Sequence, residues 1–120
     1  MALRGIRGAT LLAADDPAEM ADAVVELLTE VMSRNSLTLD DFVSVVFTAT
    51  PDLHCAFPAA AARQLGFIDI PLMCAQEIDV AGAVQRAIRI LAHVNSDLPR
   101  GEIQHVYLRG AEVLRQDLAQ

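Results

Sequence analysis

Lysine and tryptophan are both absent from this 120-residue chain, and tyrosine occurs once. Nine arginines stand against sixteen acidic residues, a formal net charge of −7. A field of that sign repels phosphate backbones and anionic lipid, which excludes nucleic acid and membrane surfaces as partners. Codon usage in a GC-rich genome accounts for most of the missing lysine. The arginines that remain are nevertheless the residues able to hold a planar carboxylate through two parallel hydrogen bonds, which lysine cannot do. Cysteine is scarce too. Cys55 and Cys74 fit a reduced, intracellular protein rather than a disulfide framework. No apolar run approaches the ~20 residues of a membrane span. The arginines and short apolar run at the start pass at once into Asp15 and Asp16, too soon for a signal peptide, so the expected location is the cytoplasm.

The usual catalytic arrangements are missing as well. His54, His93 and His105 are scattered, with no Cys-x-x-Cys or His-x-x-x-His spacing, and each reads as a structural histidine. No metal site and no cofactor is expected. Gly5 and Gly8 lack the strand–loop–helix setting of a phosphate loop, and no serine sits on a nucleophile elbow. Cys74 has no evident histidine partner.

Aliphatic residues are abundant. The chain is 53% hydrophobic with a mean hydropathy of +0.35, yet only 4% aromatic. A single domain of this size, residues 1–120, cannot bury so much aliphatic surface alone, which predicts a homo-oligomer. The clearest element is a helix over residues 17–34. Asp16 caps it, Pro17 suits its first turn and Glu19 completes a capping box. Met20, Val24, Leu27, Leu28, Val31 and Met32 form one apolar stripe, and Asn35 stops the helix. Residues 43–48 read as a buried strand, 70–74 and 104–108 as shorter ones, and 3–10 as a strand interrupted by glycines. Residues 59–65 form an alanine-rich turn of helix closed by Gly66. Residues 83–94 carry two periods at once: Val80, Val84, Ala87, Ile88 and Leu91 make a helical stripe, while Ile88, Ile90, Ala92 and Val94 alternate as in a strand. Residues 95–101 are a turn.

Three polar residues interrupt these apolar segments. Arg89 lies within Ala-Ile-Arg-Ile-Leu-Ala, Glu77 follows a short strand, and Tyr107 sits in His-Val-Tyr-Leu-Arg. Each alone has an ordinary explanation as a snorkelling arginine, a surface glutamate or a core plug. Together they ask for a small polyanionic ligand in a crevice between subunits.

The chain as a whole resembles the monofunctional chorismate mutases of the Bacillus type. The likeness is carried in order by Arg4-Gly-Ile-Arg-Gly-Ala-Thr, Thr48-Ala-Thr-Pro-Asp-Leu-His, Ala56-Phe-Pro-Ala, Gln76-Glu77, Ile88-Arg89 and Gln104-His-Val-Tyr-Leu, from Leu3 to about Leu118. It implies a mixed α/β fold: a homotrimer with a pseudo-α/β-barrel core, each subunit a mixed five-stranded sheet packed on one long helix. In that fold the stretch carrying Arg89 is a strand, and the sites lie between subunits. The activity implied is rearrangement of chorismate to prephenate, on the route to phenylalanine and tyrosine. Arg89 would face the ether oxygen and a carboxylate, and Arg7 and Tyr107 would hold carboxylates. Glu77 with Cys74 would meet the ring hydroxyl. Phe57, Ala59, Leu72 and Met73 would shape the wall, with Arg63, Leu114 and Arg115 at the rim. Ala60 stands where relatives often have a lysine, and Gln116 where they have a proline. Two other readings share features of this fold, a reactive-imine deaminase-like trimer and a non-catalytic sensor of an aromatic-pathway acid.

Overall fold

The computed structural model describes the backbone of residues 1–117 and the side chains as far as Leu114. Helix α1 (Pro17–Arg34) has the expected bounds. Asp16 accepts a hydrogen bond from the Glu19 backbone N–H at 2.8 Å. The Glu19 carboxylate does not return the bond to Asp16. It accepts from the backbone N–H groups of Ala13 (2.6 Å) and Ala14 (3.1 Å), because the incoming loop folds over the helix start and presents those donors first. At the other end Asn35 does more than stop the helix. It is buried, donates to the Val31 and Gln104 carbonyls (2.9 Å each) and accepts from the Gln104 N–H (2.8 Å), which ties the helix end to a segment 69 residues away.

Five strands form one mixed sheet: β1 (Ala2–Leu11), β2 (Phe42–Ala49), β3 (Leu72–Gln76), β4 (Ala87–Ser96) and β5 (Val106–Leu108). Their order is β3-β2-β4-β1-β5. β4 runs antiparallel to both β1 and β2, whereas β1–β5 and β2–β3 are parallel. The two-period stretch is therefore a strand. Lying between β1 and β2, it finds ladder partners for its backbone on both sides, and the period-two reading is the one that satisfies them. Ile88, Ile90, Ala92 and Val94 all face the core, while Val80 and Val84 fall in the preceding loop.

One face of the sheet packs against α1 and the short helix α2 (Pro58–Leu65). The core there gathers Met20, Leu27 and Leu28 of α1 with Ile6, Phe47, Phe67 and Ile88. Gly8 brings β1 up against α1: a Cβ there would meet Ile90 Cγ1 at 3.0 Å and Leu27 Cδ1 at 3.2 Å. On the opposite face a short 3₁₀ segment (Ala111–Asp117) is laid down, where Ala111 and Leu114 pack with Ala9, Leu11, Val84 and Tyr107. Leu3, Met73 and Leu91 are left exposed.

Candidate active site

Side chains of residues paired across a sheet project from the same face. Thr48 pairs with Arg89, Arg89 with Ala9, and Ala9 with Tyr107, so one row crosses β2, β4, β1 and β5 on the face turned away from α1. Arg7 stands on that face two residues along β1, paired with Leu91 and diagonal to Arg89. Glu77 follows β3, where its N–H continues the ladder to the Ala49 carbonyl at 2.9 Å. Its carboxylate reaches over β2 to Arg89. Arg89 Nε donates to Glu77 Oε2 at 3.0 Å, and the Thr48 hydroxyl donates to the same oxygen at 2.6 Å.

This ion pair is half open. The Arg89 side chain is 43% exposed and that of Glu77 17%. Among the described residues Arg89 engages a partner through Nε alone, so both of its Nη groups remain to meet a ligand. Glu77 Oε1 takes no hydrogen bond among the described residues, so one oxygen is left as an acceptor. Arg7 is exposed, and its guanidinium has no carboxylate partner among the described residues. Its backbone N–H donates to His105 Nδ1 at 3.0 Å. It borders a cleft of about 290 Å³ with Arg4, Arg100 and His105. Leu114 packs on Ala9, next to the Arg89–Tyr107 row.

The remaining expected residues lie elsewhere. Phe57, 75% exposed, and Cys74 border a cleft of about 370 Å³ with Leu53, His54 and Cys55. Cys74 pairs with the buried Phe47 and so faces the core side, as does Leu72 opposite Val45. Met73 points the other way and is exposed. Ala59 is buried in the core, and Arg63 is exposed in the last turn of α2. A single chain thus brings Arg7, Glu77, Arg89, Tyr107 and Leu114 to one face and leaves Phe57, Ala59, Arg63, Leu72 and Cys74 at the β3–α2 edge. The side chain of Arg115 lies outside the described residues. Among the described residues no group of three or more His, Cys, Asp or Glu side chains is placed to hold a metal ion. No described helix is long and apolar enough to cross a membrane.

Two carboxylates absent from the sequence expectations hold the loops beside these clefts. Asp15 accepts from the backbone N–H groups of His54 (3.0 Å) and Cys55 (3.1 Å). The hydrogen bond from the Cys55 thiol, helped by those backbone donors, holds the Asp15 carboxyl below its ordinary range despite some burial. Burial, followed by the Asp15 contact, pushes the Cys55 thiol up to about 11. Asp52 accepts from the Arg86 backbone N–H at 2.9 and 3.2 Å. Burial acts to raise Asp52, but the Thr50 hydroxyl and the Arg86 N–H outweigh it and hold it low. Arg86 itself has φ +50°, a left-handed conformation, and donates from Nε to the Leu12 carbonyl at 3.1 Å. It is held immediately before β4, the strand that carries Arg89 three residues further on. Asp and Asn are common in loops, so neither carboxylate stood out before its partners, 34 to 40 residues away, were visible.

The family model of chorismate mutase type I matches residues 3–118. The chain is 42% identical over 120 residues to chorismate mutase AroH of Bacillus subtilis, covering 99% of this chain and 94% of that protein. It is 44% identical over 117 residues to chorismate mutase AroH of Thermus thermophilus, covering 97% and 96%. A solved chorismate mutase from Clostridium thermocellum superposes with a TM-score of 0.89 at 45% identity, covering 91% of this chain and 97% of that one. All three relatives carry the mutase description, which separates this chain from the deaminases of similar architecture. With near-complete coverage in sequence and in fold, the chain belongs to the chorismate mutase type I family.

Proposed function

We infer that this protein is a chorismate mutase, converting chorismate to prephenate in the biosynthesis of phenylalanine and tyrosine. The observation that carries the reading is the half-open Arg89–Glu77 pair, set on a sheet face beside Arg7 and Tyr107 in a chain of this family. The reaction is a concerted pericyclic shift that needs no proton transfer and no covalent intermediate. Carbon–oxygen cleavage runs ahead of carbon–carbon bonding, so negative charge grows on the ether oxygen. The Nη groups of Arg89 meet that charge as an oxyanion hole does, held in advance by Glu77. Arg7 and Tyr107 clamp carboxylates, which selects the compact reactive conformer. The unengaged Glu77 oxygen accepts from the ring hydroxyl.

The site is completed by a second copy of the chain. Two observations support this: the expected residues divide between the outer sheet face and the β3–α2 edge, and the outer face leaves Leu3, Met73 and Leu91 uncovered. Met73, Val46 and Leu91 fall in one register row, forming an apolar strip suited to another subunit. In a cyclic homotrimer this strip becomes interface, and Phe57, Arg63 and β3 of one subunit face the Arg7–Arg89 row of the next. Ala59 and Leu72 hold that edge from beneath. Cys74 meets the ligand through the main chain of β3, an edge strand, and Arg115 closes the rim. The whole chain acts as one cytoplasmic domain and requires no cofactor. Mixing the pure protein with chorismate tests the activity: the diene absorbance should disappear as prephenate forms, and no rate above the uncatalysed background would refute it. Light scattering should give three times the 12.9 kDa chain mass; a monomer would refute the shared site.

A further inference from the structure

Between Glu77 and Arg89 lies a whole strand. Glu77 leaves β3 and Arg89 belongs to β4, with β2 between them in the sheet, so their backbones are separated by about two strand spacings, roughly 9.5 Å. The ion pair is an arch over β2, and the residue under it is Thr48, paired directly with Arg89. A large side chain there would block the arch, and an alanine would leave its acidic limb unsupported. The Thr48 hydroxyl donates to Glu77 Oε2 at 2.6 Å, a length characteristic of a hydroxyl bonded to a carboxylate.

The two bonds on Oε2 arrive from different strands. Arg89 alone would let the carboxylate swing about a single 3.0 Å contact, and the guanidinium with it. The Thr48 bond removes that freedom, fixing which oxygen faces Arg89 and which is left to accept. It also spends the only proton of the Thr48 hydroxyl, so Thr48 itself offers no donor to a ligand.

We propose that Thr48 is a positioning residue: its hydroxyl locks the Glu77 carboxylate, and through it the Arg89 guanidinium, in the geometry the transition state requires. The inference deepens the mutase reading and rests on it. Because the Thr48 hydroxyl proton is already committed to Glu77 and offers the substrate no donor, its loss lowers kcat while leaving substrate capture nearly unchanged. Thr48→Val keeps the shape and the strand-forming β-branch and removes only the hydroxyl; Thr48→Ser restores the hydroxyl.

The test measures chorismate turnover for both variants, with and without Glu77→Ala, and records the NMR resonance of the Arg89 Nε–H. Thr48→Val should lose about tenfold in kcat, as expected for a hydrogen bond to a charged group, with KM within twofold. Thr48→Ser should stay within threefold of wild type. In the Glu77→Ala background Thr48→Val should cost nothing further, since the two act as one unit. The Arg89 Nε–H signal should shift in Thr48→Val and not in Thr48→Ser. Wild-type kcat in Thr48→Val, a serine variant as impaired as the valine, or multiplying effects of Thr48→Val and Glu77→Ala would each overturn the proposal. Wild-type protein without turnover would sink the mutase reading instead, and the Arg89 resonance alone would then decide the role of Thr48: an unchanged signal in Thr48→Val overturns it.

Discussion

Replacing Arg89 by alanine separates what this residue does for the fold from what it does for the reaction. Its ion pair with Glu77 is 3.0 Å long, and the arginine side chain is 43% exposed. Partly exposed pairs contribute ~0.2–1 kcal/mol to stability. Removing the guanidinium leaves Glu77 still bonded to Thr48, so no buried charge is stranded. Arg89→Ala should therefore lower the thermal midpoint by no more than about 4 °C for a domain of this size. The effect on turnover is of another order. One preorganised donor to a developing oxyanion is worth ~3–4 kcal/mol, so kcat should fall by about 10²–10³-fold. Arg89→Lys should recover only part of this, because one ammonium cannot both engage Glu77 and present two donors to the substrate. The assay is the fall in chorismate absorbance with enzyme in excess of background, paired with thermal melting of the same samples. Arg89→Ala protein retaining more than a tenth of wild-type kcat would refute the placement of the key charge. A midpoint lowered by more than 10 °C would show that the residue is mainly structural.

Gly8→Ala drives a methyl into Ile90 and Leu27, at 3.0 and 3.2 Å, and should destabilise by ~1–3 kcal/mol in chemical denaturation. A neutral result would mean that α1 can move off β1 freely. Thr10 is fully buried and its hydroxyl has no hydrogen-bond partner among the described residues, so Thr10→Val should raise stability by about 1 kcal/mol; a loss would expose an unrecognised partner. Asp15 and Asp52 both have folded values below the ordinary 3.8, so their contribution is complete above that value and is lost as the pH falls through the lower folded ones. Thermal midpoints should hold near neutrality and drop below about pH 4, less steeply in Asp15→Asn and Asp52→Asn. Cys55 shows the opposite sign. Raised from 9.0 to about 11, it adds stability below pH 9 that is lost as the pH rises toward 11, and it should alkylate slowly at about pH 8. Asp15→Asn should speed that labelling; an unchanged rate would show that burial alone controls the thiol.

The sequence by itself determined the local elements whose signals are local. The capped helix over residues 17–34 was legible because Asp16, Pro17 and a 3.6-residue stripe act within a few turns. Net charge and the scarcity of histidine and cysteine were enough to set aside nucleic acid and metal chemistry as expectations. Arg89 and Glu77 stand out as polar residues in or beside apolar segments, but their roles, and the choice of Arg7, came from ordered motifs resembling a family, not from their spacing, which spans more than eighty residues. Only the tertiary structure decided the rest. Residues 83–94 carry two hydrophobic periods, and from Ala87 onward they became β4 because β1 and β2 supply backbone partners on both sides. Glu19 turned from the expected capping box to the loop before it because Ala13 and Ala14 arrived first. The division of the expected site into two groups follows partly from strand alternation, since Leu72 and Cys74 face the core whereas Met73 faces outward, and partly from the placement of Phe57, Ala59 and Arg63 on α2 and its cap. Thr48 lay inside a quoted motif with no role of its own, because its value comes from standing on the one strand between Glu77 and Arg89. Hydrogen bonds between residues far apart in the chain depend on register and strand order, and those are properties of the assembled sheet.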